Sequence, residues 1–194
     1  MTIREFWDRH AAAFDDEPDH GLRDPRVRDA WARLLLPLVP PSSRVADLGC
    51  GTGSLSVLLA EAGHEVHGLD LSERMLDVAR AKASSAGVTI GFVAGDAAHP
   101  PHARGSFGVV LARHVLWAVP DPAAALAEWV ALLEPGGALV LVEGRWSTGA
   151  GLTAAEVREL VGGVRDEAVV TPLTGEDLWG GPITDERYLL VSAR

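Results

Sequence analysis

The chain has 194 residues, 47% hydrophobic and 23% charged, which suits one soluble domain with a proper core. Its formal net charge of -10, with no lysine- or arginine-rich patch, argues against nucleic acid, because binding a phosphate backbone needs cationic neutralisation. No apolar run reaches the ~18 residues of a membrane span, and the opening residues are too polar for a signal peptide. The lone Cys50 forms no internal disulfide or thiolate cluster. A cytoplasmic enzyme with no metal and no membrane partner is expected.

Residues 2–14 place Ile3, Phe6, Trp7, His10, Ala13 and Phe14 along one stripe of an amphipathic helix, which the polar stretch 15–21 breaks. A second helix starts with Asp24 as N-cap and Pro25 at the first helical position, and runs to about Leu38. From residue 44 the pattern alternates. Strand 44–48 precedes helix 53–62, and strand 65–70 precedes a helix capped by Ser72 and ended by Gly87. Strands 88–94 and 107–112 follow, then a helix after Asp121-Pro122 running to Leu133 and a turn at Pro135-Gly-Gly137. Strand 138–143 is as apolar as a central parallel strand should be. Thr153-Ala-Ala-Glu156 makes a capping box for a helix to about Val161. Two last strands are expected near 165–171 and 187–192. Strands alternating with helices indicate an open, mostly parallel α/β sheet with residues 1–43 as a helical extension before it.

The stretch Val45-Ala-Asp-Leu-Gly-Cys-Gly-Thr-Gly-Ser54 reads as strand, glycine turn, helix, an arrangement that lets backbone approach a nucleotide-like ligand. A nicotinamide or flavin site wants G-x-G-x-x-G. Here the glycines stand at 49, 51 and 53, and Ser54 occupies the position of the last one. Asp47, two residues before the first glycine, would repel a pyrophosphate and welcome a cation.

Acid-x-Gly-x-Gly-x-Gly after a first strand resembles class I S-adenosylmethionine (SAM)-dependent methyltransferases, and further landmarks follow in order. Asp70 ends the second strand, Gly95-Asp96-Ala97 follows the third, and Leu116-Trp-Ala-Val-Pro-Asp121 follows the fourth. Leu132-Leu-Glu-Pro-Gly-Gly-Ala-Leu-Val-Leu-Val142 resembles the turn and fifth strand that close the family's core. The resemblance covers roughly residues 44–143 and is nearest to the small-molecule branch of the ubiquinone and menaquinone biosynthesis type. It implies a Rossmann-like, seven-stranded, mostly parallel sheet with helices on both faces, a SAM-binding core over 44–194 and an N-terminal lid over 1–43.

It also implies roles. Gly49, Gly51 and Gly53 leave room for the methionine part of SAM, with Asp47 near its amino group and Cys50 a small residue within the turn. Asp70 takes the ribose hydroxyls, beside Leu71, while Asp96 and the amide of Ala97 hold the adenine edge. Met75 covers the adenine face or is plain core. Arg113 lies at the edge of the cofactor site.

A hydroxyl acceptor has to lose a proton, which suits a histidine. His114, after the fourth strand, is the first candidate for a general base, with a structural loop histidine as the alternative. His20, between the two lid helices, is the second. Trp7, Phe14 and Trp146 offer an apolar wall for an acceptor, and Arg145 either pairs with a substrate carboxylate or phosphate or meets an acid of the protein. Trp31, Trp117 and Trp129 read as core. The expected activity is methyl transfer from SAM to a small molecule at oxygen, yielding S-adenosylhomocysteine (SAH). The alternatives are N- or C-methylation, or a protein that binds SAM or SAH without transfer. A monomer or homodimer is expected.

Overall fold

The computed structural model describes residues 1–193. The extension contains α1 (Ile3–His10), a 3-10 turn at Phe14–Asp16, α2 (Pro18–Gly21) and α3 (Pro25–Leu35). The α/β part follows as β1 (Arg44–Leu48), α4 (Ser54–Glu61), β2 (Glu65–Asp70), α5 (Glu73–Ala86), β3 (Gly91–Ala94) and β4 (Phe107–Arg113). It ends with α6 (Pro122–Leu132), β5 (Leu133–Arg145), α7 (Ala154–Gly162), β6 (Val169–Pro172), α8 (Glu176–Trp179) and β7 (Glu186–Ser192). The seven strands form one sheet in the order β3-β2-β1-β4-β5-β7-β6, parallel except for β7, which runs antiparallel to both its neighbours. No helix among the described residues is long and apolar enough to cross a membrane.

Period-two alternation divides the strands between two apolar layers. Val45, Val109, Leu111, Val140 and Val142 face Trp31 and Leu35 of α3 and Leu55, Leu58 and Leu59 of α4. Their neighbours Ala46, Leu48, Val110, Ala112, Leu139 and Leu141 face Leu126 and Trp129 of α6 and Val157 and Val161 of α7. Because both faces are covered, the central strands read as continuous apolar runs.

The caps sit where short-range chemistry puts them. Asp24 accepts the amide of Arg26, Ser72 that of Met75, and Asp121 that of Ala124. Thr153 and Glu156 close the expected capping box, and Thr2 and Glu5 form another at α1.

Several segments differ from expectation. α1 ends at His10 instead of near residue 14, α3 at Leu35 instead of near 38, β3 starts at Gly91 instead of 88, and β6 at Val169 instead of near 165. Three more differ in kind. The polar stretch 15–21 contains α2 instead of a plain break, because Pro18 suits a first helical turn and Gly21 lies so close to Asp15 that a Cβ would sit 2.2 Å from its carbonyl oxygen. Pro135-Gly-Gly137 does not separate helix from strand, since Leu133 already pairs with Phe107 and the register shifts before Val109 meets Ala138. The loop around Trp179 contains the short helix α8, on which Trp31 Nε1 donates to the Leu178 carbonyl at 2.8 Å.

β1 lies between β2 and β4, so successive connections leave it in opposite directions and open a crevice at the carboxyl ends of the strands. Gly53 fixes the start of α4 there. It has φ +74°, and a Cβ on it would stand 2.9 Å from Ala79 Cβ of α5 and 3.2 Å from Phe92. The Gly53→Ala substitution is expected to cost at least about 1–2 kcal/mol from the left-handed backbone alone, before any clash with α5. Urea unfolding measures it, and an unchanged midpoint would contradict this account of the turn.

Candidate functional site

A cavity of about 710 Å³ opens at the carboxyl ends of β1, β2, β4 and β5, within the range of small-molecule sites. Its floor is the glycine turn. Asp47, Gly49, Cys50, Gly51, Thr52 and Ser54 line it, as do Asp70, Leu71, Met75, Asp96 and Ala97 along the β2 and β3 side. Two short bonds tie the turn to β2, and a third fixes the Asp70 carboxylate that receives one of them. The Cys50 amide donates to the Leu69 carbonyl, the Gly51 amide to Asp70 Oδ2 at 2.8 Å, and the Ser72 amide to Asp70 Oδ1 at 2.9 Å. A carboxylate offers about four lone-pair sites, so two remain on Asp70 for further donors. Burial pushes the Asp70 carboxyl upward against the pull of these bonds.

Asp47 is more enclosed than its neighbour. It is 3% exposed, accepts from Ser56 Oγ, and burial pushes its pKa up to about 6 despite that bond and the charge of Arg113. Asp96 lies at the exposed rim, with Oδ1 holding the amide of Ala98 at 2.8 Å in a local turn. Met75 is both things the sequence left open, buried in α5 at 2% exposure and part of the cavity wall.

Gly53 does not reach the cavity. Its missing side chain makes room for α5, and of the three glycines Gly49 and Gly51 alone line the cavity. A Cβ on Gly49 would meet Val115 at 2.3 Å, and one on Gly51 would meet the Phe14 ring at 3.3 Å. Cys50 packs beneath the turn, where its sulfur lies 3.0 Å from the place a Gly68 Cβ would take, and burial pushes its thiol up.

The opposite wall carries Ile3, Trp7, Phe14 and His20 from the extension, with Arg113, His114, Trp117 and Trp146 from the strand ends. Trp117 is therefore not core: its ring packs against Trp146 at 5.3 Å and faces the cavity. Arg145 is not brought to the cavity. It is exposed at the end of β5, where Nη1 donates to the Gly151 carbonyl at 2.9 Å, which fixes a surface hairpin instead of a ligand.

His114 has φ +59°, an unusual backbone for a non-glycine residue, and its amide donates to the Val142 carbonyl at 2.8 Å. Its Nε2 is buried with no partner among the described residues. Burial, then Arg113, Arg187 and His20, hold its imidazole well below the usual histidine range. His20 stacks on Phe14 at 4.2 Å and 9°, with Nδ1 likewise unpartnered, and burial also lowers its pKa. Two neutral imidazoles thus share one wall with four aromatic rings.

The extension is held over the cavity by three acidic side chains that the sequence reading missed. Asp8 accepts from Ser72 Oγ at 2.6 Å at the end of β2. Asp15 pairs with Lys82 Nζ at 2.8 Å and accepts from Thr52 of the glycine turn. Arg113 at the end of β4 donates to the Asp19 carbonyl at 2.6 Å and lies 3.5 Å from its carboxylate. Lys82 Nζ also donates to Thr52 and Ser54. The signal for that node was its rarity, since Lys82 is the chain's only lysine.

Glu143 was also missed. It is fully buried on β5, where Oε1 accepts the amides of Val115 and Leu116 at 2.9 and 2.7 Å, and Oε2 has no partner among the described residues. It pins the loop that carries His114.

Residues 46–141 match the family described as "Methyltransferase domain". The chain is 36% identical over 137 residues to the ubiquinone biosynthesis O-methyltransferase of Thiobacillus denitrificans, covering 68% of this chain and 54% of that protein. It is 37% identical over 143 residues to the demethylmenaquinone methyltransferase of Renibacterium salmoninarum, covering 70% and 59%. The chain thus spans little more than half the length of these curated relatives. Among solved structures, a protein of Methanococcus maripaludis assigned as an S-adenosyl-L-methionine-dependent methyltransferase superposes with a TM-score of 0.76 over 100% of this chain and 96% of its own, at 16% identity. That likeness is one of fold.

Burial pushes the Glu143 carboxyl from 4.5 up to about 8. Between those values the folded chain holds a proton that the unfolded chain has released. The group's stabilisation is therefore complete below the unfolded value of 4.5 and is lost as pH rises through about 8. Glu143→Gln cannot titrate. From about pH 6 to 8 the stability of the parent relative to this variant should fall by up to about 1 kcal/mol per pH unit. Urea unfolding across that range measures it, and a difference that does not vary with pH would show that Glu143 is ionised in the folded chain.

Proposed function

Residues 46–141 make this chain a member of the class I SAM-dependent methyltransferases, and from that membership we propose that it transfers a methyl group from SAM to the hydroxyl of a small molecule. SAM supplies an electrophilic methyl on a sulfonium centre. The chain's residues bind it, align the acceptor and manage the acceptor's proton.

The cofactor end fits that ligand on its own chemistry. Gly49 and Gly51 present bare backbone to the cavity, Asp70 retains two acceptor positions for a diol, and the buried Asp47 carboxyl stands beside them for a cationic group. Asp96 and Ala97 offer an acceptor and an amide at the far rim for a base edge. The three lid tethers enclose this end with the extension, so the acceptor belongs to the small molecules and not to nucleic acid or a membrane surface.

The acceptor end carries the choice of oxygen. The observation behind it is the buried Nε2 of His114, without a partner among the described residues and held neutral on an aromatic wall next to the glycine turn. A neutral imidazole accepts the hydroxyl proton as the oxygen attacks, and in-line alignment by the surrounding rings supplies much of the remaining acceleration. His20, stacked on Phe14, is a second proton acceptor on the same wall. The similarity to a demethylmenaquinone methyltransferase supports methylation at carbon as the second reading.

Incubation with methyl-labelled SAM and a metabolite extract, followed by mass spectrometry, identifies the acceptor and the atom methylated. With that acceptor, His114→Ala is expected to lower kcat by roughly 10²–10⁴ while leaving SAH affinity within a factor of two or so. A full rate in His114→Ala, or label on carbon alone, would overturn the assignment.

A further inference from the structure

Trp146 and Trp179 frame the imidazole of His114, and a single side chain behind them holds both. β5 pairs antiparallel with β7 so that Gly144 stands opposite Arg187. A Cβ on Gly144 would lie 2.8 Å from Arg187 Cδ, so the glycine clears a path for the arginine to cross β5. The guanidinium carbon then rests 5.5 Å from the Trp146 ring and 4.8 Å from the Trp179 ring. Nη2 meets Asp185 at 3.0 Å. Nε is buried without a partner among the described residues, so the two ring faces and Asp185 hold the group.

The rings in turn enclose His114. Its imidazole lies parallel to Trp179 at 6.0 Å and 14°, and edge-on to Trp146 at 5.2 Å and 84°. Gly151 also packs directly against Trp146, since a Cβ on it would fall 2.3 Å from the ring. Neither Arg187 nor Trp179 lines the cavity, whereas His114 and Trp146 do.

We propose that Arg187 is a positioning residue for His114: by clamping Trp146 and Trp179 it fixes the box around the imidazole and keeps Nε2 at the acceptor end of the cavity. The proposal rests on the reading of His114 as the acceptor-side base. Arginine suits the place because a planar guanidinium stacks between two indoles, which an ammonium does not. The charged and titratable groups around the imidazole are Arg113 on β4, Arg187 on β7 and His20 on α2, with Asp19 paired to Arg113 and Asp185 to Arg187. Removing the Arg187 cation therefore raises the His114 pKa, and the basic form is lost at a higher pH.

Nuclear magnetic resonance of the histidine rings tests this without any acceptor. The His114 signal is assigned by its loss in His114→Gln, and it is followed through pH in the parent, Arg187→Met and Arg187→Lys. Arg187→Met is expected to move the His114 midpoint up by about half a pH unit or more and to abolish the ring-current shift from Trp179. Arg187→Lys should retain the low midpoint yet lose the ring-current shift, because it preserves charge and not stacking. With an authentic acceptor, the acid limb of kcat/KM in Arg187→Met should move up by the same interval. An unchanged His114 position and midpoint in both variants overturns the proposal, and if Arg187→Met does not fold, Arg187→Lys alone decides it through the ring-current shift. A displaced imidazole together with full activity in His114→Ala would leave Arg187 a positioning residue and remove only the role of His114 as base.

Discussion

The hydrogen bond from the Gly51 amide to Asp70 is the point on which the site turns. It joins the end of β1 to the end of β2 and holds a left-handed run of three glycines, with φ of +68°, +56° and +74° at 49, 51 and 53. Each glycine is bare for a different neighbour. Gly49 yields to Val115 of the loop after β4, Gly51 to Phe14 of the extension, and Gly53 to Ala79 of α5. One turn thereby sets the distance to the loop bearing His114, to the cover and to the helix bearing Met75 and Lys82. A side chain at any of the three would displace a separate wall of the cavity.

The second constraint is electrostatic. Asp8, Asp15 and Asp19 of the extension reach Ser72 just after β2, Lys82 on α5 and Arg113 at the end of β4. The Arg113–Asp19 pair is the more enclosed, at 12% and 13% side-chain exposure; the Asp15–Lys82 pair follows at 8% and 22%, and both its partners share Thr52. Breaking a buried pair by removing one partner leaves the other charge stranded, at a cost of about 3–5 kcal/mol. Part of the chain's acidity thus fastens the cover over the crevice. The same fastening carries Trp7, Phe14 and His20 onto the acceptor wall.

Local chemistry was legible in the sequence. The caps at Asp24, Ser72, Asp121 and Thr153 are read from residues within three positions, and the apolar runs of β1, β2, β4 and β5 follow from burial on both faces. The turn glycines, Asp47, Asp70 and Asp96 stand at strand ends for the same reason, and all but Gly53 line one cavity. What long-range packing decides was not legible. Trp117 sat on an apolar pattern that fits a core or a cavity wall equally, and only its approach to Trp146 separates them. Arg145 and Arg187 both stand at strand ends, yet one turns to a surface carbonyl and the other crosses a glycine into an aromatic clamp. Glu143 looked like the polar end of a strand, and its burial depends on the loop folding back over it.

The central claim is that the Asp70-anchored glycine turn holds SAM. Calorimetric titration of the parent and Asp70→Ala with SAH tests it most directly. One SAH per chain should bind the parent, and the variant should lose roughly 10- to 100-fold in affinity, the worth of hydrogen bonds to a charged acceptor. Equal affinity in the two proteins, or no binding by the parent, would contradict the account.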